Sequence, residues 1–176
     1  MAGASRDPAR PGLTVANHCP RKSFLAFLIY ALFFKARKTR HSDGIQTRPE
    51  LVNKARDLAQ RLGFGRMSFL NLSVAKATQS GALPERIDVV TALHACDTAT
   101  DDAIAFGLQK HAQFMVLVPC CQAEVARTMN SGKALSLSRT QLAELWRHPL
   151  HTRELGRQIT TVLRCLSLTA WGYQVT

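Results

Sequence analysis

The stretch DVVTALHACDTATDDA, Asp88 to Ala103, decides the fold. With its upstream residues it reads RIDVVTALHA, apolar on successive rather than alternating positions. That is the pattern of a strand covered on both faces, and hence of a parallel sheet. The continuation TATDDAIAFGLQKHA reads as a helix, with Thr98 or Thr100 as N-cap and acidic residues in the first turn, where the helix dipole favours them. Between the two, His94, Cys96 and Asp97 put three reactive side chains at the end of an apolar run.

The same alternation extends in both directions. LTVANHC (Leu13 to Cys19) reads as a first strand, and RKSFLAFLIYALFFKARK as a helix too apolar for a polar surface and therefore packed on a sheet. DGIQT is a short second strand. RPELVNKARDLAQRLG follows as a helix with Pro49 in its first turn, Leu51, Val52, Ala55, Leu58, Ala59 and Leu62 on one face, and Gly63 as its stop. RMSFLNL is a third strand and QFMVLVPCC a fifth, closed by Pro119. Gln122 to Trp171 reads as helices broken at Ser131-Gly132 and near Pro149, and GYQVT begins a sixth strand. Five strand-helix repeats with short connections predict an α/β fold: a doubly wound, mostly parallel sheet with helices on both faces. The leader MAGASRDPARPG, residues 1–12, has no apolar period and is expected to be flexible, leaving 13–176 as the folded domain.

Composition narrows the function classes. A chain of 176 residues is long enough for one real core. Its 46% hydrophobic and 20% charged content excludes disordered, collagen-like and coiled-coil classes. The 23 Lys and Arg against 12 Asp and Glu give a net charge of +11, which biases the surface towards polyanions such as nucleic acid, or serves solubility alone. Five cysteines without Cys-x-x-Cys spacing suit a reducing, cytoplasmic compartment. The apolar run Ser23 to Phe34 spans 12 residues, short of the roughly 20 a membrane helix needs. KARKTR follows it where a signal peptide would have a cleavage site, so no membrane partner is expected.

In an open parallel sheet, ligands bind beyond the carboxyl ends of the strands, where the strand order reverses. The tips here are ANHCPRK, IQTR, NLS, HACD and PCCQ, and most carry polar or reactive groups. GIQTRPELVNKARDLAQRLGF, LPERIDVVTALHACDTATDDAI, VLVPCCQAEVA and WRHPLHTRELGRQITTVLRCL together resemble the class I S-adenosylmethionine-dependent methyltransferases, in the bacterial branch of a family with His-Ala-Cys-Asp and Pro-Cys-Cys motifs. The resemblance runs from about Leu13 to Thr176. It implies a Rossmann-like sheet, S-adenosylmethionine as cofactor, and a C-terminal strand pair that this chain leaves incomplete.

It also implies site residues. Asn17 stands where the family has an acidic residue, Cys19 where a Gly or Cys sits, and Arg21 where a Gly is expected, while Lys22, Ser23, Phe24 and Leu25 fit. Gln46 stands where an acidic residue would bond the ribose hydroxyls. Its amide lacks the charge-assisted strength of a carboxylate. Asn71 to Ser73 would lie near the adenine. His94, Cys96 and Asp97 would sit beside the transferable methyl, facing Pro119, Cys120, Cys121 and Gln122.

Two readings stay open at several of these positions. His94 is a general base or a loop-shaping residue, and Asp97 orients substrate or caps the following helix. Cys96, Cys120, Cys121 and His94 suggest a tetrahedral metal site, but adjacent Cys120 and Cys121 point in different directions on a strand, and no metal is expected. Cys19 and Cys165 read as core. Lys35 to His41, with Arg21, Lys22 and Arg48, is a track for a nucleic acid backbone or a solvated helix end. Arg147, His148, His151 and Arg153 close over substrate or pack under the last helix. The acceptor is open, with RNA favoured by charge. The altered first loop admits a second class of function, a non-catalytic binding or scaffold module of the same fold.

Overall fold

The computed structural model describes residues 13–18, 23–36, 40–119, 122–128, 141 and 148–176. The leader, Cys19, Arg21, Lys22, Cys120, Cys121, Arg147 and the break at Ser131-Gly132 lie outside the described residues. The chain divides into two compact units, Met1–His94 with Asp102–Val118, and Ala95–Asp101 with Pro119–Thr176.

The first unit contains the sheet. Strands β1 (Thr14–His18), β2 (His41–Gln46), β3 (Met67–Asn71), β4 (Val89–Leu93) and β5 (Phe114–Val118) are all parallel and lie in the order β3-β2-β1-β4-β5. Helices α1 (Phe24–Ile29), α2 (Pro49–Arg61), α3 (Val74–Gln79) and α4 (Thr98–Gln109) follow β1 to β4 in turn. α1 runs on into a π-helical turn, Tyr30–Phe34, closed by the Lys35 amide on the Tyr30 carbonyl at 2.8 Å.

Successive side chains of a strand leave opposite faces, and β1 shows both being used. Val15 packs with Phe27, Tyr30, Phe34, Val52, Ala55, Ala59 and Phe69 from α1, α2 and β3. Ala16 packs with Ile45, Val74, Val90 and Phe106, bringing α3 and α4 to the other face. The fold is therefore the doubly wound α/β sheet that the continuous apolar run of β4 predicts. α2 starts with Pro49 in its first turn and ends ahead of Gly63, whose φ of +68° suits glycine.

Three local expectations are corrected. α1 packs on the sheet as expected, through Ala26, Phe27, Tyr30 and Phe34, yet it is not too apolar for solvent: Phe24, Leu28, Leu32 and Phe33 are exposed. GYQVT forms no strand, because Gly172 (φ +88°) and Tyr173 turn back to donate their amides to Thr169 and Leu168 at 2.9 and 3.0 Å. That arrangement caps a helix C-terminus. β5 pairs only with β4 among the described strands, and exposes Phe114, Val116 and Val118. Thirdly, Thr98 is the first residue of α4 and Thr100 donates its hydroxyl to the Ala95 carbonyl at 2.7 Å, so neither occupies the cap position.

The second unit is built on α5 (Glu124–Thr128) and α6 (Pro149–Ala170), with Pro149 in the first turn of α6. The two helices meet where Gly156 lies: a Cβ there would stand 2.9 Å from the Ala126 backbone nitrogen. No described helix is long and apolar enough to cross a membrane.

Two consequences for stability follow from the first unit. A Cβ on Gly44 would meet Phe69 Cδ1 at 2.7 Å, and Phe69 is already stacked on Phe27 at 5.7 Å. Gly44→Ala is therefore expected to cost about 1–3 kcal/mol in a urea melt. At the amino ends of β2 and β3, His41 Nε2 donates to Asp43 Oδ1 at 3.1 Å and lies 2.9 Å from Ser68 Oγ. The Asp43 hydrogen bond raises the His41 pKa from its ordinary 6.5. A raised folded pKa means stability fully present below 6.5 and lost as the pH rises through the folded value. His18 works the other way, its pKa lowered by burial. The comparison is thus parent against His41→Asn: the substitution should cost more stability in acidic than in alkaline solution, and an equal cost at both ends would contradict the ion pair.

Candidate functional site

The strand ends are brought level by register. His18 of β1 pairs with Ile45 and Ala92, Gln46 of β2 with Asn71 of β3, and Leu93 of β4 with Val118 of β5. The order reverses at β1, which leads to β2 and β3 on one side and has β4 on the other. By the crevice rule, the carboxyl ends of β1 and β4 are the candidate ligand position.

Two side chains at this point have unmet hydrogen-bonding capacity. Asn17 is fully buried; its Oδ1 accepts from Thr91 Oγ1 of β4 at 3.0 Å, but its Nδ2 has no partner. His18 Nδ1 is likewise buried without a partner. Burial lowers the His18 pKa and the Asp102 carboxylate opposes that shift, so the ring is neutral at pH 7. Leaving a buried donor unmade costs on the order of 1–3 kcal/mol, and such groups in native proteins call for an explanation. Sequence reasoning passed over His18. The signal was present in ANHC, where a second polar residue follows Asn17 at the end of an otherwise apolar strand.

The other candidates of the first unit are more committed to structure. Gln46 is buried, and its Oε1 accepts from the Arg48 amide at 3.2 Å and lies 3.5 Å from Thr47 Oγ1, shaping the turn into α2. Asn71 is exposed at the tip of β3. Ser73 caps α3, its Oγ accepting from the Lys76 amide at 3.3 Å. His94 is exposed, donates its backbone amide to the Val118 carbonyl at 3.0 Å, and has φ of +57°. A non-glycine residue in the left-handed region is uncommon and costs energy that the surroundings must supply.

The remaining candidates belong to the second unit. Cys96 is exposed and reduced. Asp97, also left-handed at φ +48°, accepts from the Ala123 amide at 2.6 Å and from Arg127 Nη2 at 3.1 Å. It thus serves the amino end of α5 rather than α4. The Ala123 amide is the largest cause holding its carboxyl below the ordinary value, with Arg127 assisting. Arg164 of α6 grips Asp101 through Nε and Nη2 at 2.6 and 2.8 Å and donates to the Asp97 carbonyl at 2.9 Å. Gln122 is buried and accepts from Thr161 Oγ1 at 3.3 Å; Pro119 is half-buried. His148 and His151 stand edge to face at 5.7 Å, both exposed, as is Arg153. Cys165 is half-buried.

A parallel α/β sheet with unmet polar atoms at its switch point has the layout of the doubly wound folds that bind ligands there. Residues 4–128 match a family described as a methyltransferase domain, and the chain belongs to that family. No curated protein matches the sequence. Among solved structures it is similar to the YcgJ protein of Bacillus subtilis, at 17% identity over 58% of this chain and 41% of that one, with a TM-score of 0.43. It is also similar to TrmK of M. capricolum in complex with S-adenosyl-homocysteine, at 11% identity over 66% and 50%, with a TM-score of 0.47. The CurJ carbon methyltransferase matches at 13% identity over 66% and 31%, with a TM-score of 0.49. The chain spans half or less of the length of these structures.

The Asp97 contacts predict a structural phenotype. Asp97→Ala should destabilise the protein by on the order of 1 kcal/mol, the usual effect of losing a carboxylate at a helix amino end. Because the folded pKa is depressed, this contribution is present above the ordinary 3.8 and is lost as the pH falls through the folded value. The difference from parent in chemical melts should shrink accordingly. An unchanged melt at neutral pH would remove the capping assignment.

Proposed function

We propose that the chain is an S-adenosylmethionine-dependent methyltransferase domain whose cofactor is held at the carboxyl end of β1. The observation that carries this is the buried Asn17 amide, with Nδ2 unpaired, at the switch point of a chain in a methyltransferase-domain family. The residues present fit the cofactor's chemistry. Asn17 Nδ2 is a donor for its carboxylate or ribose oxygens, the neutral His18 ring offers Nδ1 beside it, and Gln46 at the tip of β2 adds a second carboxamide. Asn71 and Ser73 at the tip of β3 border the adenine end. Cys19, Arg21 and Lys22, which follow β1 in the sequence, complete this reading.

The sulfonium supplies an already activated methyl group, so the protein contributes alignment and exclusion of water more than covalent help. His94 is the proton acceptor in this reading. Asp97, engaged by the Ala123 amide and Arg127, holds the start of α5 rather than moving a proton. Among acceptors, the +11 charge favours RNA, since phosphate neutralisation releases counterions. The cysteine pattern suits a cytoplasmic setting.

A second reading, a non-catalytic binding or scaffold module, draws on one observation. Gln46 Oε1 is engaged by the Arg48 amide, and neither Asn17 nor Gln46 brings the carboxylate that charge-assisted recognition would use.

Calorimetric titration with S-adenosylmethionine and S-adenosylhomocysteine separates the two. Micromolar binding, about −8 kcal/mol, is expected of the enzyme; no heat and no thermal shift at millimolar ligand would leave the scaffold. Asn17→Leu sharpens the test. It removes the unpaired donor and strands the buried Thr91 hydroxyl, so stability is expected to fall by about 1–3 kcal/mol while affinity falls about tenfold, one lost hydrogen bond's worth. A lowered melting point with unaltered affinity would make Asn17 structural only.

A further inference from the structure

We propose that the outer face of α1 and its π-helical turn docks in the interface of an anionic lipid bilayer. Phe24, Leu28 and Leu32 recur every four residues along this face, with Phe33 beside them, and they are 59%, 57%, 72% and 58% exposed. Single exposed apolar residues are ordinary, but four large ones on one short helical segment form a patch of the kind that marks an interaction surface.

The patch is rigidly presented. Its inner side is fixed by Phe27, Tyr30 and Phe34 in the core, with Tyr30 against Phe64 at 4.6 Å between ring centres. Arg66 Nη2 donates to the Phe34 carbonyl at 2.9 Å, and Arg40 Nη1 to the Phe33 carbonyl at 3.2 Å. Little conformational freedom is left to lose on docking, which favours binding.

Charge identifies the occupant. No acidic residue occurs between Asp7 and Asp43, whereas Arg10, Arg21, Lys22, Lys35, Arg37, Lys38 and Arg40 all fall in that interval. An apolar helical face of Phe and Leu flanked in the sequence by basic residues matches an acyl-headgroup boundary carrying negative charge. A second copy of the chain would bring two molecules of charge +11 together at their basic segments. RNA would satisfy the cations but gives Leu28 and Leu32 nothing to enter. The 12-residue apolar run is too short to span, so the segment would lie along the surface, a mode of binding that departs from the expectation of no membrane partner. This surface is independent of methyl transfer.

The test is sedimentation of the full chain with vesicles of phosphatidylcholine alone and with about 30% phosphatidylserine, an anionic surface. Co-sedimentation with the anionic vesicles is expected. It should be about tenfold weaker with neutral vesicles, in high salt, or for Leu28→Gln/Leu32→Gln, whose polar replacements suit exposed positions. Phe33→Trp, added to the parent chain, should give an emission that shifts to the blue on anionic vesicles. A folded chain that stays in the supernatant with anionic vesicles overturns the proposal. So does a double variant that sediments like the parent, or a Phe33→Trp chain whose emission does not move. Sedimentation velocity showing a dimer that the double variant dissolves, without vesicle binding, assigns the face to a second copy; binding of an RNA oligomer that the double variant abolishes, again without vesicle binding, assigns it to RNA.

Discussion

The pairing of β1 with β4 is the constraint on which the rest of the structure depends. Its partners are 74 residues apart, and side-chain hydrogen bonds hold the pair near both ends. Near the amino ends, the Asp88 carboxylate accepts from the Thr14 amide and hydroxyl at 2.8 and 2.9 Å. Towards the carboxyl ends, Thr91 donates to Asn17 at 3.0 Å. Closing so long a loop is entropically costly, and without this pairing β2 and β3 would form a sheet with no reversal of order. The reversal sets the switch point, so Asn17 is at once part of the pairing and the residue on which the proposed cofactor site rests.

That double role explains the polar chemistry at the tip of β1. A core optimised for stability alone would place an apolar residue opposite Thr91 or satisfy both ends of the amide. Asn17 uses one end and leaves the other open, with His18 Nδ1 open beside it. Uncompensated buried polarity of this kind collects at functional positions. Asp97 shows the opposite case: a reactive residue in a conspicuous motif whose carboxylate is occupied by the Ala123 amide and Arg127.

Much of this was legible in the sequence because it depends on local pattern. The continuous apolar run of β4 pointed to the parallel sheet, and Pro49 and Gly63 bounded α2. What escaped depends on partners distant in sequence. The His41, Asp43 and Ser68 cluster needs the register of β2 on β3. HACD followed by TATDDA suggests a cap for α4, and only the position of Ala123, 26 residues on, redirects Asp97 to α5. GYQVT has strand composition, but the helix end before it uses Gly172 and Tyr173 first.

α1 shows how one segment can meet two demands. Its inner face must supply the aromatic core on one side of the sheet, since Phe27, Tyr30 and Phe34 pack there with β1 and β3. That requirement accounts for only half of its apolar residues. The outer four keep more than half of their surface in solvent, so they add little to the fold, and their exposure works against solubility. The net charge of +11 offsets that liability by keeping copies apart. α1 begins at Phe24, six positions beyond the tip of β1 at His18. An occupant of its outer face would therefore sit close in sequence to the strand on which the proposed cofactor site rests, while making no contact that methyl transfer requires.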